Sequence, residues 1–144
     1  MSQNTTTKST EACCENTDCD KLMHTAEEAK ALTRREVRSL AFHYVYAVDR
    51  NDYQVSLDDV IAQFGTYFDV TSDESSFARE IAQGAIDKRD ELDTLIKPLL
   101  QNWRLERLGC CTHLIIRMAL WEMLHGKTAP LIAINEAIKI KKGF

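Results

Sequence analysis

From Thr33 onward apolar residues recur three or four positions apart, and that period predicts a succession of helices. Val37, Leu40, Ala41, Tyr44, Val45 and Val48 share one face of a first helix. Thr33, with Glu36 three residues later, forms the capping box that starts it. Leu57, Val60, Ile61, Phe64 and Phe68 mark a second helix. Ser72 or Asp73 is placed to cap a long third one, whose stripe runs Phe77, Ile81, Ala85, Leu92 and Leu95 until Pro98 ends or kinks it near Lys97. The stretch LLQNWRLERL reads as a short helical piece or turn, closed by Gly109. From Leu114 to Leu124 the chain is apolar almost all round, interrupted only by Arg117 and Glu122, which suits the centre of a bundle. Gly126 stops that helix. Pro130 opens a last one, which presents Leu131, Ile134, Ala137 and Ile138. No segment alternates with the period of a strand. The predicted fold class is all-α.

Residues 1 to about 30 break the pattern. They hold three lysines against six acids and almost no branched aliphatics, so they bury too little apolar surface to offset the entropy of ordering. This predicts a disordered acidic tail over 1–30 and a helical domain over 31–144. Cys13, Cys14, Cys19 and His24 in the tail match no zinc-finger spacing, and no metal site is expected. No apolar run is long enough to span a membrane and no secretory signal opens the chain, which predicts a cytoplasmic protein with its five cysteines reduced. A net charge of −4 disfavours non-specific nucleic-acid binding and leaves room for a local basic patch.

Cys110, Cys111 and His113 stand within four residues. Two readings compete: a thiolate activated at a helix N-terminus, or the entrance to the apolar helix. A nucleophile also needs a positioned base and an oxyanion site, and neither is visible. Thr112 is placed as an N-cap, with both cysteines packed just outside the helix as small apolar residues. No nucleotide loop, nucleophile elbow or metalloprotease motif occurs either. The expectation is a protein with no catalytic residues and no cofactor.

The first helix carries the sharper signal. Taken from Arg34 at 100° per residue, Arg38, Phe42, Arg35 and Tyr46 fall at about 40°, 80°, 100° and 120°, while the apolar stripe centres near about 300°. Three guanidiniums thus run into two aromatic rings on an arc turned away from the predicted core. Arginine grips phosphate bidentately and aromatic faces stack on unpaired bases, so the arc suits single-stranded RNA. A solvated charged face is the competing reading. Lys139, Lys141 and Lys142 make a second basic group near the end of the chain.

Taken together, RREVRSLAFHYVYAV, ERLGCCTHLIIRMALWEML and APLIAINEAIKIKKGF resemble, in order and spacing, the signature stretches of the NusB family, with the I-N-E-A block the most specific. The resemblance runs from about Thr33 to Phe144. It implies two packed helical subdomains and a non-enzymatic RNA-binding role. It further implies antitermination on boxA-type RNA of nascent ribosomal transcripts, with the ribosomal protein NusE and the RNA polymerase complex as partners. The RNA-binding candidates are Arg34, Arg35, Arg38, Tyr46 and Lys142.

Thr112 stands where the family has Asp, and Lys139 and Lys141 make the end more basic than the pattern. Family members usually continue into a final helix beyond Lys-x-Phe, whereas this chain stops at Phe144, so a bundle lacking its C-terminal helix is implied. The alternative is a stand-alone helical RNA-positioning or protein-binding scaffold without antitermination activity. Arg117 and Glu136, both expected to be buried, are predicted to pair with each other.

Overall fold

The computed structural model describes residues 32–67 and 72–143, the side chains of 72–75 excepted. The predicted tail with its cysteines, Phe68 and Phe144 lie outside the described residues. Among the described residues six α-helices follow one another: α1 (Arg34–Arg50), α2 (Leu57–Tyr67), α3 (Ser72–Asp87), α4 (Arg89–Ile96), α5 (Cys110–His125) and α6 (Pro130–Gly143). Short 3-10 turns at Lys97–Leu99 and Leu105–Arg107 connect α4 to α5. The described residues are helical with no strand, as the periodicity predicts.

The start of α1 obeys its local sequence. Thr33 Oγ1 accepts the Glu36 N–H at 3.3 Å, and Glu36 Oε2 accepts the Thr33 N–H at 2.7 Å. Its end is tighter. Asp52 and Tyr53 both take left-handed backbone angles (φ 51° and 59°), and the Tyr53 N–H reaches the Val48 carbonyl at 3.0 Å. An aromatic residue disfavours that conformation. Here the Tyr53 hydroxyl is anchored, donating to Asp49 Oδ1 at 2.8 Å and accepting from Arg117 Nη1 at 3.2 Å.

Helices α1, α2 and α3 form one group and α4, α5 and α6 another, joined where α5 packs on α1 and α3. One core runs through both, with Phe42, Tyr44, Val45, Ile81, Leu92 and Leu114 almost fully buried. Burying each such side chain stabilises the fold by roughly 1.5–3 kcal/mol.

Four expectations need correction. The long third helix is two, broken at Lys88 (φ −100°, ψ 16°), and the break turns Leu92 and Ile96 inward while Leu95 is exposed. Thr112 is not the N-cap of α5. Gly109 holds that position without a side-chain cap, its carbonyl accepting the His113 N–H, so Cys110 and Cys111 lie inside the first turn. On α6 the buried line is Ala133, Glu136 and Ile140, while Leu131, Ile134 and Ile138 are exposed. Finally, Arg117 and Glu136 do not meet. Arg117 pairs with Asp93, and Glu136 with Arg35 and Lys139.

Candidate nucleic-acid interface

The predicted solvent-facing ladder from Arg34 to Tyr46 does not exist as such. Phe42 is 2% exposed and belongs to the core, and Arg38 is 7% exposed. Arg38 Nε donates to both carboxylate oxygens of Glu122 at 3.0 Å, and Nη1 donates to the Arg34 carbonyl at 3.3 Å. Thr128 completes the cluster by donating to Glu122 Oε1 at 2.7 Å. A guanidinium so engaged has little left for phosphate, so Arg38 ties α1 to α5 rather than facing solvent. The helical arc misleads because α1 is covered on two flanks, by α3 and by α5, and not only along its apolar stripe.

What remains at the surface is a basic seam between the first turn of α1 and the middle of α6. Arg35, with its side chain 57% exposed, donates from Nε to Glu136 Oε2 at 3.1 Å. Lys139 reaches Glu136 Oε1 at 2.9 Å from the other side. The Lys139 hydrogen bond, opposed by burial and reinforced by Arg35, holds the Glu136 carboxyl below its ordinary pKa. One buried carboxylate therefore positions two exposed cations on two helices. Arg34, exposed beside them in the chain, lays its guanidinium 4.4 Å over the Phe77 ring.

Lys142 is exposed further along α6, a rise of roughly 9 Å along the helix axis from Glu136. Tyr46 is 39% exposed, tilted against Phe42, and about 16 Å along α1 from Arg35. Arg34 and Arg35, neighbours in the chain, thus engage different helices, Phe77 of α3 and Glu136 of α6, while Lys142 lies further along α6 and Tyr46 stands apart. Sequence reasoning singled out Glu136 and Lys139 but missed their meeting with Arg35: Glu136 was expected to pair with Arg117, and Lys139 was placed only in the second basic group. The clue was available, since an acid amid small and apolar positions of α6 must find cations.

Cys110 and Cys111 open α5 as free, partly buried thiols. Cys110 Sγ donates to Asp49 Oδ2 at 3.3 Å, and burial followed by that carboxylate pushes the thiol pKa up. A raised pKa leaves less thiolate at neutral pH. Among the described residues no group of His, Cys, Asp and Glu is arranged to hold a metal ion, and no helix is long and apolar enough to cross a membrane.

A model of the NusB family matches residues 35–144. The transcription antitermination protein NusB of Staphylococcus haemolyticus is 32% identical over 113 residues, which cover 78% of this chain and 87% of that protein. The solved structure of T. maritima NusB superposes with a TM-score of 0.67 at 26% identity, over 79% of this chain and 80% of that one. A chain in the crystal structure of a plectonemic RNA supercoil has the same fold, with a TM-score of 0.68 at 20% identity over 76% of this chain and 80% of that one.

Proposed function

The chain belongs to the NusB family, and on that premise we propose that it is a transcription antitermination factor acting through RNA. Its ligand is boxA-type RNA of nascent ribosomal RNA transcripts, bound together with the ribosomal protein NusE in the cytoplasmic RNA polymerase antitermination complex. The role is non-enzymatic. Arg34 and Arg35 meet the phosphates, Lys139 and Lys142 extend the binding surface along α6, and Arg38 supports it from beneath. Tyr46 serves a separate part of the same face.

The observation that supports this reading best is the seam at Glu136. Two cations from different helices are held about one carboxylate, at the start of α1. Single-stranded RNA offers phosphates at a spacing that such fixed cations can follow. The test is fluorescence anisotropy of a labelled boxA-like RNA, with and without NusE, for wild type and an Arg34→Ala/Arg35→Ala variant. Binding that NusE strengthens and the double variant loses is the expected result. Equal binding of boxA-like and scrambled RNA in the presence of NusE would overturn the proposal.

A further inference from the structure

A groove of about 760 Å³ opens beside Arg34, between the start of α1, α3, the end of α5 and the turn into α6. Its walls include Arg34, Phe77, Trp121, His125, Lys127 and Ile132. We propose that this groove receives one unstacked base of the bound RNA, with Arg34 and Lys127 holding the flanking phosphates. The proposal rests on reading RNA as the ligand of the adjoining seam and assigns it a base-binding position there.

The groove combines what a base needs. Flat surfaces are present: the His125 ring lies stacked on Trp121, with centroids 6.0 Å apart and planes at 17°, and the Arg34 guanidinium covers Phe77. Both an imidazole and an arginine plane take a stacked base. Lys88 Nζ stands 3.0 Å from His125 Nε2. An ammonium has only protons to give, so this contact places Nε2 as the acceptor and fixes the ring edge at the mouth of the groove. Ile132, half exposed, supplies an apolar edge. Glu80 on the same walls is an acceptor for an exocyclic amine, which favours cytosine or adenine over uracil. Glu122, though it also lines the groove, is already neutralised by Arg38.

The test replaces each nucleotide of a boxA-like single-stranded RNA, one at a time, by an abasic residue that keeps the phosphates. Affinities are compared for wild type, His125→Ala and Lys127→Ala. One position is expected to weaken wild-type binding about five- to a hundredfold, the range of a single base stack, and to lose that effect in His125→Ala. Lys127→Ala, in an exposed turn, is expected to weaken every RNA of the series alike. RNA bound by wild type with the same abasic profile in His125→Ala overturns the groove and leaves the antitermination reading standing. Failure of wild type to bind any RNA of the series overturns both.

Discussion

Gly84 of α3 lies so close to Trp121 of α5 that a Cβ added to it would stand 2.0 Å from the indole Cε2. The absence of a side chain at Gly84 is what lets the indole sit between the two helix groups, where it is 8% exposed. In a free helix Gly→Ala would stabilise by about 1 kcal/mol. Here overpacking costs about 1–3 kcal/mol and reverses the sign. Gly84→Ala should therefore lower the melting temperature by several degrees. Gly84→Ala/Trp121→Leu should be more stable than the sum of its single variants. Additive losses in thermal denaturation would show that the indole is not what constrains Gly84.

The Arg38–Glu122 pair is buried at both ends and separated by 84 residues, so it joins α1 to α5. Removing one partner leaves a buried charge, and Arg38→Ala or Glu122→Ala should each cost about 3–5 kcal/mol. Arg38→Lys should not restore the loss, because an ammonium cannot reproduce the fork of hydrogen bonds to Glu122 and the Arg34 carbonyl. Urea denaturation of the three variants checks this, and a fully stable Arg38→Lys protein would count against it.

Asp93 links α4 to α5, accepting from Arg117 Nε at 2.7 Å and from His113 Nε2 at 2.8 Å. Burial raises its pKa, but the Arg117 and His113 hydrogen bonds outweigh burial and hold it below the ordinary value. Glu136 is lowered in the same way by Lys139 and Arg35. A carboxyl depressed in the folded state adds stability above its unfolded pKa of about 4, lost as pH falls through the folded value. Melting temperature should therefore fall below about pH 4 in the wild type. Asp93→Asn should be less stable at neutral pH and show a shallower acid decline. An acid slope equal to that of wild type would mean that Asp93 does not contribute to it.

The basic seam makes a prediction about salt. An arginine that meets one phosphate should, when replaced in Arg34→Ala or Arg35→Ala, lower the slope of log affinity against log salt by about 0.7 for single-stranded RNA. Arg35→Ala also frees Glu136 to turn wholly to Lys139, so its fold should survive. Titrations at several salt concentrations measure the slope directly. A variant with wild-type slope would exclude its arginine from phosphate binding.

Cys110, its thiol pKa raised by burial and by Asp49, should react slowly. At neutral pH its alkylation by iodoacetamide, followed by peptide mass spectrometry, should be slower than that of free cysteine. Cys110→Ser should keep RNA binding. Faster alkylation than free cysteine would point to an activated thiolate.

The capping box, the end of α5 at Gly126, the start of α6 at Pro130, and the all-α class were legible because each depends on neighbours within a few positions. Lys88 was not, since its break carries neither proline nor glycine. The α6 face was ambiguous because apolar residues surround that helix on several sides, so periodicity cannot choose among them.

Of the candidate site, the sequence alone singled out the cations Arg34 and Arg35 at the start of α1, through charge type and helical position, with single-stranded RNA and a solvated face as competing readings between which the family resemblance favoured RNA. Only the tertiary structure decided which cations remain at the surface. Arg38 meets Glu122 across 84 residues, Arg117 meets Asp93 across 24, and Arg35 meets Glu136 across 101. Local periodicity reports which way a side chain points from its own helix. The partner that waits there is set by how α1, α5 and α6 pack, and a buried charge is stable only where that packing supplies its counterion.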